Sequence, residues 1–255
     1  MRLQNISIIG AQGAMGAFFR ERLQNLNLQV YALDRPLTSK DLADVLPVSD
    51  LVLLAVPAQA FNEVLQMIRN YLQPETILAD ICSVKVRPLQ LMLAAHSGPV
   101  VGTHPLFGPQ PEAETVLKTA LVQGRDASAL ESLQNLLQNI GLHTFYSTAR
   151  EHDRALAYIQ GLNFVTTVSY LATLTDEPQL EKFLTPSFQR RLNAAQKMLT
   201  QDAELFQGLF EANPYSYEAI RQYRQFLNLA AAGELDLLQD KANWWWQDKN
   251  QGEEP

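Results

Sequence analysis

Short apolar runs alternate with helix-length segments of about 3.6-residue periodicity through the first half of this chain, and that alternation constrains the fold more than any other feature. Ile6–Ile9 precedes a helical stretch from about Ala14 to Leu26, and Val30–Leu33 and Leu51–Val56 precede another from Ala58 to Leu72. The pattern continues with Thr76–Ile81, a helix around Pro88–Ala95, and Val100-Val101 leading into His104. Runs that are apolar throughout fit strands covered on both faces, and strands separated by helices form a parallel sheet. After a loop holding Pro105, Pro109 and Pro111, Ala120–Val122 and Leu142–Tyr146 read as further strands flanking a helix from Ser128 to Asn139, which Gly141 ends.

From about Ala149 the strand signals stop, and helices are expected over roughly Arg150–Leu174, Leu180–Thr200, Asp202–Glu211 and Tyr217–Ala232. The expected architecture is an α/β Rossmann-type dinucleotide-binding domain over residues 1–147 and an all-α domain over 148–255, with the active site between them. Trp244-Trp245-Trp246 is expected to anchor the last helix in a core or a subunit interface, with a ligand platform as the alternative. The polar tail Gln247–Pro255 is expected to fray.

Composition works by exclusion. A net charge of −7, with basic residues scattered, argues against a nucleic-acid binder. No apolar run is long enough to span a bilayer, and a first strand beginning near Asn5 leaves no room for a signal peptide, so a cytoplasmic protein is expected. Cys82, the single cysteine, offers neither an internal disulfide nor a zinc pair and reads as a small buried apolar residue.

Gly10-Ala11-Gln12-Gly13-Ala14-Met15-Gly16 follows the first strand and opens a helix, the context that a dinucleotide fingerprint requires. Gly13 would let the backbone approach a pyrophosphate at the helix amino end, and Gly16 would let helix and strand pack closely. Ala11 stands where the first glycine of the G-x-G-x-x-G pattern normally falls, with Gly10 one place earlier. Asp34, about 20 residues on at the end of the second strand, suits the adenosine ribose hydroxyls and favours NAD. Arg35 beside it would suit the 2′-phosphate of NADP.

Two segments follow strand ends where an open α/β sheet binds ligands. In Asp80-Ile81-Cys82-Ser83-Val84-Lys85, the Ser83 hydroxyl can bridge a nicotinamide, a histidine and a substrate hydroxyl, or simply cap the next helix; Lys85 is otherwise a solvated charge. In Val101-Gly102-Thr103-His104-Pro105, His104 supplies an imidazole of ordinary pKa about 6.5, able to take a proton from an alcohol as hydride leaves its carbon.

Together the Gly10–Gly16 turn, Ser83-Val84-Lys85, Gly102-Thr103-His104-Pro105-Leu106-Phe107-Gly108-Pro109, and Glu151-His152-Asp153 followed by Ile159-Gln160-Gly161-Leu162 resemble the prephenate and arogenate dehydrogenase family of tyrosine biosynthesis. The chain is most similar to the dehydrogenase part of the fused chorismate mutase enzymes. The resemblance implies NAD-dependent oxidative decarboxylation of prephenate to 4-hydroxyphenylpyruvate, without a metal. It implies His104 as the catalytic histidine and Ser83 as its partner, with Gly10, Ala11, Gly13, Met15, Gly16 and Asp34 around the cofactor and Ser83, His104, Gln160 and Lys197 around the substrate. It also implies a second domain like the carboxyl-terminal domain of 6-phosphogluconate dehydrogenase, pairing two chains into a homodimer.

Two positions depart from the family pattern. Lys197, ahead of Gln201-Asp202, stands where an arginine usually grips the ring carboxylate, and a lysine cannot form the bidentate fork. Phe164 stands where the family usually has a histidine; Arg190 and Arg191 are candidates to compensate, or form an exposed charged face. Glu151-His152-Asp153 reads as capping and tying down the long helix. Other readings are arogenate or another carboxylated cyclohexadienol as substrate, and a non-catalytic dinucleotide-binding regulatory protein. A β-hydroxyacid dehydrogenase would pair Asn163 with a catalytic lysine, but no lysine occurs between Lys118 and Lys182.

Overall fold

The computed structural model describes residues 3–174 and 179–247. The chain runs through β1 (Asn5–Ile9), α1 (Ala14–Gln24), β2 (Gln29–Leu33), α2 (Ser39–Val45), β3 (Leu51–Leu54), α3 (Ala58–Ile68), β4 (Ile77–Asp80), α4 (Val86–Ala95), β5 (Val100–Pro105), β6 (Lys118–Arg125), α5 (Ala127–Asn139) and β7 (His143–Ser147). These strands form one seven-stranded sheet in the order β2-β1-β3-β4-β5-β6-β7, parallel except where β6 runs antiparallel to β5. The order reverses at β1, so a crevice opens beyond the carboxyl ends of β1 and β3. In register, Ile9 pairs with both Leu33 and Leu54, Leu54 with Asp80, and Asp80 with Gly102. That alignment brings Gly10, Asp34, Ala55 and Thr103 to a common edge.

Apolar clusters cover both faces of the sheet, as continuous apolar strands require. One packs Ile6, Ile8, Phe19 and Leu23 against Leu133 and Leu137 of α5; the other packs Val52, Leu54 and Leu78 against Phe61, Leu65 and Met92 of α3 and α4. At the crevice, α1 starts against the β1 turn with little clearance. Gly10 has φ +88°, in the left-handed region that favours glycine, and a Cβ there would meet the Ala55 carbonyl oxygen at 2.3 Å. A Cβ on Gly16 would stand 2.0 Å from the Gly10 carbonyl oxygen.

After β7 the chain is helical: α6 (Ala149–Leu156), a π-helical turn over Ala157–Leu162, α7 (Asn163–Ala172), a 3-10 turn over Leu180–Phe183, α8 (Pro186–Thr200), α9 (Ala203–Ala212), α10 (Ser216–Ala231), α11 (Leu235–Ala242) and α12 (Trp244–Gln247). This half has little core of its own. Among the described residues α7 buries none, α8 only Ala195 and α9 only Phe210. No helix among the described residues is long and apolar enough to cross a membrane.

Several elements differ from the sequence expectation. β5 continues through His104 to Pro105 because β6 pairs with it that far, so His104 lies within the strand rather than past it. α2 was not anticipated; it starts where Thr38 Oγ1 accepts from the Asp41 amide, but it is too short to show a periodic face. The long helix expected from Arg150 is interrupted by the π turn. Trp244, Trp245 and Trp246 are 53–61% exposed, so they anchor no core among the described residues. Residues 248–255 of the expected frayed tail lie outside the described residues.

Gly16→Ala is expected to push α1 off the β1 turn, costing about 1–3 kcal/mol, and to lower the melting temperature by several degrees. Thermal unfolding followed by circular dichroism checks it; an unchanged melting temperature would show that the helix start tolerates displacement.

Candidate active site

The crevice at the ends of β1 and β3 is a cleft of about 380 Å³ lined by Gly10, Gln12, Gly13, Asp34, Arg35, Val56 and Pro57, among others. α1 is capped at Gly13 with no side-chain hydrogen bond, so its first amides remain available to an anion at the positive end of the helix dipole. Both Asp34 oxygens accept from the Gln12 amide, at 3.1 and 3.0 Å, which holds the carboxylate at the rim. Arg35 leans the other way and pairs with Glu63 at 3.1 Å. Ala11 is fully buried and Met15 packs against the core, so these two support the turn from behind while Gly10 and Gly13 line the cleft. Left-handed backbone at Gly10, free amides and a rim carboxylate together fit a dinucleotide.

A second cluster forms where β4, β5 and α6 meet. The Lys85 side chain is fully buried, donating to the Asp80 carboxylate and to the Thr103 carbonyl at 2.6 Å. Asp80 also accepts from the Cys82 amide at 2.9 Å, and Thr103 Oγ1 donates to the Asp80 carbonyl at 2.5 Å. Burial, followed by the Asp80 charge, pushes the Cys82 thiol up, so it is an inert packing residue. His104 is 3% exposed, with Nδ1 2.9 Å from His152 Nε2. His152 Nδ1 in turn lies 2.8 Å from Asp153 Oδ1. The Asp153 carboxylate accepts the backbone amides of Lys85 at 2.7 Å and Val86 at 2.8 Å, at the amino end of α4. Burial, then His152, then Lys85 hold the His104 pKa well below 6.5, so at neutral pH its ring is a base.

The remaining expected residues stand in varied surroundings. Ser83 is half-buried in the loop after β4, and its hydroxyl makes no hydrogen bond among the described residues, to His104 or to any other group. Gln160 is half-buried in the π turn, a distortion often found at functional sites. Lys197 is exposed in the last turn of α8. Phe164 stacks on Phe206 of α9, ring centroids 5.7 Å apart, which gives it an apolar role that a histidine would fill poorly. Arg191 lies over the Tyr170 ring at 3.8 Å and is engaged there. Sequence reading missed the roles of four residues: Asp80, Lys85, His152 and Asp153. In Glu151-His152-Asp153, Glu151 completes a capping box with Thr148 and Asp153 ties the helix to the start of α4. Two adjacent titratable residues on the first turns of a helix beside the cleft were the available signal.

Residues 34–145 match the family model described as "Prephenate dehydrogenase, nucleotide-binding domain". The chain is 31% identical over 239 residues to the T-protein of Enterobacter agglomerans, an alignment covering 90% of this chain and 62% of that protein. Together these matches support the prephenate/arogenate dehydrogenase family for this chain. Among solved structures, the prephenate dehydrogenase of A. aeolicus, in complex with hydroxyphenyl propionate and NAD+, superposes with TM-score 0.79 at 18% identity, covering 99% of each chain. The arogenate dehydrogenase of Synechocystis superposes with TM-score 0.78 at 17% identity, covering 97% of this chain and 99% of that one. The family's two-part architecture, a Rossmann-like sheet followed by helices, is thus the architecture of this chain. The family match begins at Asp34, so the Gly10–Gly16 turn rests on its own geometry.

His104 predicts a pH dependence of stability. Its folded pKa lies below the value of about 6.5 in the unfolded chain, so at mildly acidic pH the unfolded chain binds the extra proton. The stability His104 contributes is fully present above about pH 6.5 and is lost as pH falls toward the folded value. His96, held down chiefly by burial, acts in the same direction. Urea unfolding is expected to give lower stability at about pH 5.5 than at about pH 7.5, with a smaller difference in His104→Gln. Equal differences in the two proteins would show that His104 is not held neutral by the fold.

Proposed function

We propose that this chain is an NAD-dependent dehydrogenase that oxidatively decarboxylates prephenate to 4-hydroxyphenylpyruvate. The observation that carries the proposal is a buried histidine base, His104, at the same sheet edge as a cleft suited to a dinucleotide. The family supports the substrate: T-proteins are fused chorismate mutase/prephenate dehydrogenases, and the A. aeolicus neighbour holds NAD+ with hydroxyphenyl propionate. Arogenate is the alternative substrate, supported by the Synechocystis neighbour.

The nucleotide would lie with its pyrophosphate at the amino end of α1, Gly10 and Gly13 admitting it, and its ribose against Asp34. When bound it supplies the acceptor for hydride from the ring carbon that carries the hydroxyl. His104 accepts the hydroxyl proton as that hydride leaves. The carboxylate's C–C bond electrons then enter the ring as carbon dioxide departs, and His104 returns the proton to the phenolate oxygen. Aromatisation supplies the driving force, so the protein mainly aligns the reactants and stabilises charge on oxygen. Ser83 would donate to or accept from the same oxygen, Gln160 would line the substrate from the π turn, and Lys197 would meet a substrate carboxylate as a point charge.

The functional division we favour is a nucleotide unit over residues 1–147 and a substrate and dimerisation unit over 148–255. A homodimer is the assembly we favour, supported by the thin core of the second unit, where Ile159, Phe183, Tyr217 and Leu235 are 60–76% exposed. Trp244, Trp245 and Trp246 would find cover in that interface. We place the protein in the cytoplasm, acting on a small molecule.

Purified protein with prephenate and NAD is expected to form reduced nicotinamide, and His104→Ala to lower turnover about 100-fold or more with NAD affinity unchanged. Steady-state absorbance assays decide it; full turnover in the variant would remove His104 from the mechanism. The Arg35–Glu63 pair holds the guanidinium beside Asp34 away from a 2′-phosphate. Glu63→Ala is therefore expected to raise NADP affinity about three- to tenfold with NAD affinity little changed, which calorimetric titration of both cofactors would register.

A further inference from the structure

The Asp153 carboxylate has no proton to give. Its oxygens accept from the amides of Lys85 and Val86 and face His152 Nδ1 at 2.8 Å. An ionised carboxylate only accepts hydrogen bonds, so the proton of the His152–Asp153 contact sits on His152 Nδ1. When that is the only proton on the ring, His152 Nε2 is left with a lone pair. It faces His104 Nδ1 at 2.9 Å, and a lone pair there requires a proton on the His104 nitrogen. His104 Nε2, which makes no hydrogen bond among the described residues, is then left with its lone pair uncommitted.

We infer that His152, oriented by Asp153, is a positioning residue that locks His104 in the tautomer with its proton on Nδ1 and its lone pair on Nε2. The inference rests on the reading of His104 as acceptor of the substrate hydroxyl. It deepens that reading, because a neutral histidine in the opposite tautomer presents an N–H to the hydroxyl and cannot take its proton. The direction of the whole chain is set at backbone amides, which cannot reverse: α4 donates to Asp153, Asp153 accepts from His152, and His152 accepts from His104. When His104 receives the proton, its Nδ1–H already points at an acceptor, so the imidazolium is stabilised without reorganisation. The burial that keeps His104 neutral leaves tautomer selection to His152, since water has little access to either ring: His152, like His104, is 3% exposed.

The decisive measurement is nitrogen NMR of the full chain carrying isotope-labelled histidine, with His104 assigned by its loss in His104→Gln. The wild type is expected to show His104 Nδ1 as a protonated, pyrrole-like nitrogen and Nε2 as an unprotonated, pyridine-like one. In His152→Phe the His104 signals should move to the opposite tautomer or to a mixture, and kcat for prephenate should fall about 10- to 100-fold with KM values for prephenate and NAD within about threefold. His152→Gln is expected to restore both the tautomer and most of kcat. Its amide oxygen can accept from His104 while its amide nitrogen donates to Asp153. A wild-type His104 carrying its proton on Nε2, or a His152→Phe protein with the original tautomer and unchanged kcat, overturns the inference. Equal loss in the Phe and Gln variants also overturns it, since packing alone would then explain the effect. The expected tautomer in a protein that turns over no prephenate upholds the lock and overturns the functional reading instead.

Discussion

One buried carboxylate joins the two halves of this molecule. Asp153 is fully buried, and its negative charge is tolerable there only because two backbone amides at the amino end of α4 and a histidine ring point at it. Through those contacts α6 is fixed to the loop that carries Ser83. Through His152 the same residue reaches His104 in β5, and through its own carbonyl, which accepts from Asn213 at 2.7 Å, it reaches the segment between α9 and α10. Four separate stretches of chain are thus joined through Asp153 and its neighbour His152.

The Lys85–Asp80 pair complements this joint from the sheet side. Taking two charges out of water costs several kcal/mol per ion, so such a pair is a weak contributor to stability. Its value is positional, because the ammonium ties the end of β4 to the Thr103 carbonyl, one residue before His104. Gly102 makes the room: a Cβ there would approach Lys85 Cδ to 3.3 Å, tighter than usual contact. A shorter side chain in place of Lys85 would leave Asp80 charged and unpaired, and that explains why a lysine on a loop next to a cleft need not touch ligand.

The order of strands was legible through β7, because strands buried on both faces are written as continuous apolar runs such as Leu51–Leu54. The Gly10–Gly16 turn was legible for the same local reason, and the structure adds why Ala11 departs from the pattern: Gly10 takes the left-handed turn, and Ala11 fills the core. Ser83 and His104 could be picked out by their place after strands. His152 and Asp153 could not be given their partners, since Lys85 and Val86 lie 68 and 67 residues away from Asp153 in sequence and local pattern carries no information on that pairing. The π turn was missed because one extra residue per turn leaves the composition of a helix unchanged, and α2 because seven residues show no period.

The antiparallel pairing of β5 with β6 has a consequence for how this scaffold can vary. Reversing direction there returns the chain to the edge it has just reached, so the segment between Pro105 and Lys118 begins and ends beside His104. Its hydrogen-bonded base, where the Leu106 amide donates to the Lys118 carbonyl at 2.8 Å, seals the ladder behind it. Phe107, with its ring 5.3 Å from that of Phe18, ties the segment to the helix that would receive the nucleotide. Residues can therefore be added to or removed from its tip without disturbing strand register, whereas a single insertion within β5 would turn the side chains on one side of it to the opposite face. The mouth of the site is free to change its reach while its floor is not.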